Sequence, residues 1–239
     1  RGAIWYQAES NCGKGEDPRD YRHKQRALVQ GWRQAWNKEN LPFFYVQLPQ
    51  WKSYAWTYAR EEQLRAMQVD GTGMAVTIDL DNANDIHPPN KIDVGERLAL
   101  WPLAKLHGRK KAFCGPFFRE AKIRGGEAVV HFDYAKEGLM AGRIEGVGKI
   151  VESKDGVLHG FELVGGDGVW HPAKAKMVGQ TVLVKSLSVK QPVAVRYACH
   201  PEAPKGQPWN LYNKSRLPAS PFCSDWSKMP YDPAKNPMR

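Results

Sequence analysis

The first hundred residues alternate between short apolar runs and longer amphipathic segments. Residues 43–48 form a continuous run between two prolines, which is the pattern of a parallel strand buried on both faces. Shorter strand patterns occupy residues 3–7 and 74–80. Apolar residues recur at near-helical spacing over three segments, 17–37, 57–68 and 90–107. This alternation predicts an α/β fold with a parallel sheet over residues 1–107.

The pattern changes after Gly108, where β-rich segments alternate with glycine-containing turns. These segments are residues 128–133, 158–164, 181–185 and 193–197. Gly-Gly, Asp-Gly and Gly-Asp-Gly turns separate them, as is typical of antiparallel hairpins. We therefore expect a small all-β antiparallel module over residues 108–200. The remaining tail, residues 201–239, is rich in proline and aromatic residues and is expected to pack as an ordered coil.

The charge balance of the chain is basic, with a net charge of +10 over 239 residues. Most of the excess is spread along the chain, which favours a solvated surface. The densest basic stretch, residues 105–124, leaves an anion-binding or nucleic-acid-binding surface as the alternative. Because that stretch lacks the aromatic-rich pattern of RNA-binding motifs, we expect no nucleic-acid partner. No apolar run is long enough to span a bilayer.

The cysteine pattern bears on metal binding and on disulfides. The four cysteines are too few and too scattered for a disulfide scaffold, and they suit one or two bridges or buried thiols equally. No CxxC pair is present, so we expect no structural zinc site and no cofactor.

The first candidate site is the sequence Trp-Tyr-Gln-Ala-Glu-Ser-Asn at residues 5–11, where the first predicted strand ends in a loop. Ligand sites of open α/β sheets lie at the carboxyl ends of strands. A glutamine in that place can direct an amide N–H at a developing oxyanion. Gln7 is therefore a candidate for oxyanion or substrate binding, together with Glu9. An ordinary polar turn is the alternative.

The second candidate site is residues 79–91, which follow the third predicted strand and contain His87 before two prolines. A histidine in a rigid loop with acidic neighbours is suited to act as a general base. Asp85 lies two residues before His87, so in an extended segment both side chains point the same way. We take Asp85 as the acid that orients His87, with Asp79 and Asp81 as alternatives. A solvated histidine without function is the simpler interpretation, against which its place at the end of a strand argues.

Together the two segments resemble the sialate O-acetylesterase family, within the SGNH-type hydrolases. The first is similar to the family's Trp-Tyr-Gln-Gly-Glu-Ser-Asn, and Asn-Asp-Ile-His-Pro-Pro-Asn-Lys at residues 84–91 to its Asn-Asp-Ile-His-Pro-x-Asn-Lys. Residues 94–101, 210–214 and 217–222 also look like that family. The resemblance implies a flavodoxin-like sheet, of which residues 1–107 are the C-terminal part. It also implies a serine esterase that removes O-acetyl groups from sialic acid or another acetylated glycan, with His87 as base and Gln7 as oxyanion donor.

The chain departs from the family pattern at three points. The family's serine lies in an N-terminal Gly-x-Ser-like block that has no counterpart here, and Ser10 belongs to the glutamine motif instead. Ala8 stands where the family has glycine, which removes backbone freedom. Asn84 occupies the position, three residues before the histidine, where the wider superfamily places its acid.

We therefore expect a carbohydrate esterase chain that lacks its nucleophile. The chain opens within a strand pattern and without an initiator methionine. For this reason we expect a fragment, inactive by itself, of a secreted or periplasmic protein whose signal region lies upstream. A non-catalytic carbohydrate-binding protein on the same fold is the alternative.

Overall fold

The computed structural model describes residues 2–80 and 85–235, which form two compact units. One unit consists of the chain up to Cys114 together with the chain from Tyr231, and the other of Gly115–Pro230. Among the described helices, none is both long and apolar enough to cross a bilayer.

The first unit contains a three-stranded parallel sheet and three helices. The strands are β1 (Ala3–Trp5), β2 (Phe43–Val46) and β3 (Thr72–Ala75), and the helices are α1 (Tyr21–Ala35), α2 (Tyr54–Ala66) and α3 (Lys91–Lys105). The strand order β1-β2-β3 puts β2 in the centre. All four residues of β2 are buried, as its continuous apolar run predicts. The predicted parallel α/β arrangement is therefore confirmed.

The chain leaves β3 earlier than its apolar run predicts. Ile78 and Leu80 stay buried beyond the end of the strand. Their segment turns because other hydrogen bonds replace those between neighbouring strands. The Thr77 hydroxyl donates to the Gln47 carbonyl at 2.7 Å, and the Leu80 amide donates to the Thr77 carbonyl at 3.1 Å. This buried turn directs the chain toward the histidine segment at the carboxyl edge of the sheet.

Helix α3 packs on β3 through Trp101. A Cβ at Gly73 would lie 2.4 Å from the Trp101 ring, so only glycine leaves room for the indole there. The indole Nε1 donates to the Met74 carbonyl at 2.9 Å. Asn90 caps the start of the helix by accepting from the Asp93 amide at 3.1 Å. Pro102 lies inside this helix, which continues past it to Lys105.

The second unit is built from antiparallel strands throughout its described part. The strands are β4 (Phe117–Arg124), β5 (Glu127–Asp133), β6 (Leu139–Ile144), β7 (Ile150–Glu152), β8 (Phe161–Val164), β9 (Trp170–Pro172), β10 (Lys174–Val178), β11 (Thr181–Lys185), β12 (Ala194–Tyr197), β13 (Leu211–Asn213) and β14 (Phe222–Cys223). They form sheets of order β10-β11-β5-β4, β14-β12-β8-β9 and β13-β6-β7. The stretch after Pro201, expected as a coil, contributes β13 and β14 to these sheets.

Glu162 is the centre of a buried ionic cluster in this unit. It lies on β8 directly opposite Arg196 on β12, and its carboxylate accepts from Arg196 Nε at 2.8 Å and from His200 Nε2 at 2.6 Å. The Arg196 guanidinium also lies 4.4 Å from the centre of the Trp170 ring. Burial raises the pKa of Glu162, but the hydrogen bonds from His200 and Arg196 outweigh burial and lower the pKa from 4.5 to about 2.

We predict that Glu162→Gln lowers the free energy of unfolding at pH 7 by about 3 kcal/mol, because a carboxylate with a lowered folded-state pKa stabilises the fold. That stabilisation is fully present above pH 4.5 and is lost as the pH falls toward 2. Denaturant unfolding between pH 7 and pH 2 should therefore show a smaller acid decline in the variant than in the parent protein.

The matched control is Glu152→Gln. Glu152 is an exposed carboxylate that pairs with Lys214 at 2.7 Å, and its loss should change the unfolding free energy by less than about 1 kcal/mol. An acid decline in Glu162→Gln as large as that of the parent protein would contradict the assignment.

Candidate active site

The glutamine motif begins where β1 ends, and its backbone is held from two sides. The Gln7 carbonyl accepts from the Tyr21 hydroxyl at 2.9 Å and from the Gln63 amide at 3.4 Å. Burial raises the pKa of Tyr21 above its ordinary value of 10, so the phenol keeps the proton that it donates. The Gln7 side chain is half-buried, and its Nε2 donates to Asn11 Oδ1 at 3.0 Å. A primary amide carries two protons, so one such bond uses half of its donor capacity.

Ala8 and Glu9 shape the turn that follows Gln7. Ala8 is fully buried and directly precedes the short 3-10 helix Glu9–Cys12. The Glu9 carboxylate folds back and accepts from the Ala8 amide through Oε2 at 2.8 Å. Glu9, predicted to bind substrate, therefore has one oxygen engaged in holding its own loop.

Cys12 lies in the short 3-10 helix Glu9–Cys12 and is fully buried. Burial raises the pKa of its thiol from 9.0 to about 12. Since the thiolate is the nucleophilic form of cysteine, this group is unreactive near neutral pH.

The histidine segment presents His87 to solvent. The His87 amide donates to Asp85 Oδ1 at 2.8 Å, a local turn that fixes the backbone between the two residues. The imidazole Nδ1 lies 3.6 Å from the same carboxylate oxygen, with side-chain exposures of 85% for His87 and 65% for Asp85. The two side chains therefore point the same way, as predicted. The distance between Nδ1 and this oxygen is longer than that of a hydrogen bond. Nδ1 is thus the imidazole nitrogen that faces the Asp85 carboxylate.

The two alternative acids have different outcomes. Asp81, like the Asn84 position, lies outside the described residues. Asp79 forms a buried bidentate pair with Arg97 of α3, at 2.5 Å from Nη1 to Oδ1 and 2.7 Å from Nη2 to Oδ2. Arg97 also donates to the Val76 carbonyl at 2.9 Å. This geometry makes Asp79 a structural partner of α3.

The structure brings the two motifs together. Ile86, next to His87, packs against a core cluster that contains Ala8, next to Gln7. The Lys91 ammonium, at the start of α3, lies 5.3 Å from the centre of the Tyr6 ring. A potential base and a potential amide donor thus share the carboxyl edge of one parallel sheet, where such folds place their ligand sites.

Sequence reasoning missed three residues that hold this site. Tyr21 and Gln63 bind the Gln7 carbonyl, and Arg97 binds Asp79. Tyr21 and Gln63 lie on helices, and their sequence separations from Gln7 of 14 and 56 residues follow no local pattern. For Arg97, one signal was available, since an arginine at a buried position of a helix requires an acidic partner.

Comparison with known proteins finds a family match over the part of the chain that contains both motifs. Residues 1–101, which contain both motifs, match the family model described as carbohydrate esterase, sialic acid-specific acetylesterase. The crystal structure of a carbohydrate acetylesterase from Xanthomonas citri is similar with a TM-score of 0.81 and 36% identity, over 94% of this chain and 50% of that chain. This chain thus spans about half the length of that protein. No curated protein matches. The resemblance carried by the two motifs is confirmed.

We predict that Asp79→Asn lowers the free energy of unfolding by roughly 3–5 kcal/mol, because it leaves the Arg97 guanidinium buried without its counter-charge. Denaturant unfolding followed by tryptophan fluorescence measures the change. Asp17→Asn is the matched control, since the Asp17–Arg19 pair is exposed and is worth at most about 1 kcal/mol. A loss below about 1 kcal/mol in Asp79→Asn would show that the pair does not hold the helix to the sheet.

Proposed function

We propose that the protein hydrolyses acetyl esters carried by sugars, since residues 1–101 match the model of the sialic acid-specific acetylesterase family of carbohydrate esterases. The observation that carries the proposal is the meeting of the two motifs, in which Ile86 beside His87 packs on the core that contains Ala8 beside Gln7. The likeness to the Xanthomonas citri acetylesterase supports the same chemistry.

The proposed mechanism is acyl transfer through a serine. His87 accepts the proton of the serine hydroxyl as its oxygen attacks the acetyl carbonyl carbon, and Asp85 stabilises the imidazolium that results. Gln7 donates an amide N–H to the oxyanion. His87 then returns the proton to the sugar oxygen as the ester C–O bond breaks and the sugar leaves. Water, activated by the same histidine, attacks the acyl-serine and releases acetate.

The proposal extends to the fold, the substrate and the compartment. The three parallel strands with their helices fit the C-terminal part of a flavodoxin-like SGNH sheet. O-acetylated sialic acid is the proposed substrate, in line with the description of the matching family. A secreted or periplasmic location is proposed with it, since glycans of this kind are carried on cell surfaces.

We further propose that the nucleophilic serine lies outside this chain. Among the described residues, His87 makes its polar contacts with Asp85 and none with a serine hydroxyl. Cys12 is no substitute, because burial keeps its thiol protonated. The Xanthomonas citri protein is about twice as long as the part matched here, which leaves room for the missing group.

We predict that His87→Ala lowers kcat for acetate release from O-acetylated sialic acid by about 10²–10⁴-fold, the usual contribution of a general base. The melting temperature should not change, because the His87 side chain is 85% exposed. The assay uses a protein that includes the proposed serine. His107→Ala is the matched control, since His107 is an exposed histidine beyond α3 and should leave kcat unaltered.

A serine-directed phosphonate probe separates the two parts of this proposal. The probe is expected to label a serine outside residues 1–239 and to label it more slowly in His87→Ala. Full activity of His87→Ala would contradict the role of the histidine. A label on Ser10 or on another serine of this chain would contradict the proposed origin of the nucleophile.

A further inference from the structure

The sheet of order β10-β11-β5-β4 has one buried apolar face and one basic face. Val182 and Val184 of β11 are fully buried on the inner face. The residues that alternate with such buried positions point outward, and among them are Lys174 and Lys176 of β10 and Lys185 of β11. The pleat of the strands therefore collects these lysines on the solvent side.

On this outer face, lysines lie opposite one another. Lys174 is directly opposite Lys185 in the antiparallel register, an arrangement of like charges that destabilises a ladder. Lys185 has a counter-charge, since its ammonium lies 2.9 Å from Glu127. Among the residues that the structure describes, no carboxylate forms an ion pair with Lys174, Lys176 or Lys190. The described part of the chain thus leaves three neighbouring ammonium groups without a protein anion.

These lysines line a groove of about 1030 Å³. The groove lies where the ends of β10 and β11 meet the loop of residues 186–190, which contributes Lys190 and two serines. The Ser186 hydroxyl donates to the Pro172 carbonyl at 2.9 Å and ties this loop to the sheet. Leu183 and the exposed Leu187 supply apolar contact surface. A groove at the upper end of the size range of small-ligand pockets can hold several linked sugar units.

We propose that this groove binds a glycan chain that carries carboxylate groups. The proposal rests on the proposed function and names the class of polymer on which the acetylated sugar is carried. Charge complementarity carries it, because carboxylates on successive sugars would neutralise the unpaired lysines and relieve the repulsion between Lys174 and Lys185. The lysines act as flexible point charges, and the serine hydroxyls and leucines offer contacts to sugar hydroxyls and ring faces.

A glycan fits this groove better than a nucleic acid does. Single-stranded nucleic acids bind to aromatic side chains on which the bases stack, and none of the described residues that line the groove is aromatic. Phosphate recognition favours arginine, whose guanidinium forms two parallel hydrogen bonds, whereas the cations among these lining residues are lysines.

The test is the binding of polysialic acid to the chain, measured by isothermal titration calorimetry, for the parent protein and for Lys174→Glu/Lys176→Glu. The double variant should bind at least about tenfold more weakly. Its melting temperature should be unchanged or higher, because a carboxylate at position 174 would face Lys185 with opposite charge. Loss of binding therefore could not come from unfolding. Lys154→Glu/Lys205→Glu, an equal change of charge on exposed lysines outside the groove, should keep the parent affinity.

Four probes, compared at equal salt concentration, decide which ligand the groove binds. Polysialic acid should bind, and neutral dextran should not. Equal or tighter binding of a DNA duplex, or of vesicles of phosphatidylserine and phosphatidylcholine, would overturn the proposal, as would equal loss in the Lys154→Glu/Lys205→Glu control. Absence of polysialic acid binding would overturn it as well.

A failure here is distinguishable from a failure of the proposed esterase function. In a protein that includes the proposed serine, acetate release from monomeric O-acetylated sialic acid should be the same with Lys174→Glu/Lys176→Glu as without it, because a single sugar does not need the groove.

Discussion

The ion pair between Asp79 and Arg97 is the constraint on which the arrangement of the site depends. Asp79 lies in the buried turn after β3, and Arg97 belongs to α3, so the pair joins the two ends of the segment that carries His87. With side-chain exposures of 2% and 7%, neither charge can be left without the other at low cost. Ile86, next to the exposed His87, packs against the core cluster that contains Ala8.

Paired and unpaired charges have different roles in this protein. In the second unit, Glu162 and Arg196 form the same kind of pair as Asp79 and Arg97. In both pairs a buried carboxylate lies within hydrogen-bonding distance of a guanidinium. Those charges hold elements together. On the outer face of the sheet, Lys174 and Lys176 lack such partners among the described residues, and Lys174 stands opposite another lysine across the ladder. In the proposal above, a ligand of opposite sign neutralises these lysines.

The sequence predicted the elements whose patterns are local. The continuous run at β2 and the hairpin strand β11, expected over residues 181–185, appear in the structure as predicted. Strands β4 and β10 were missed, because charged residues alternate along them and resemble a solvated segment when their partners are unknown.

The place of the two motifs at the carboxyl edge of the sheet also followed from the sequence, since both come directly after strand patterns. The acid could not be chosen in the same way. In the sequence, Asp79 and Asp85 are both acidic residues close to His87, and nothing distinguishes their roles. The distinction comes from the contact of Asp79 with Arg97, 18 residues away, which makes Asp79 the structural carboxylate and leaves Asp85 beside His87.

We propose that the Asp79–Arg97 pair positions His87, the base proposed above, and a double-mutant cycle on acetate release, in a protein that includes the proposed serine, tests this role most directly. Asp79→Asn is measured alone and in the His87→Ala background, at a temperature at which both variants are folded. If the pair acts through the histidine, Asp79→Asn lowers kcat in the parent protein and has almost no further effect once His87 is absent, because residues that act as a unit are not additive. An equal fold-loss in both backgrounds would contradict the claim.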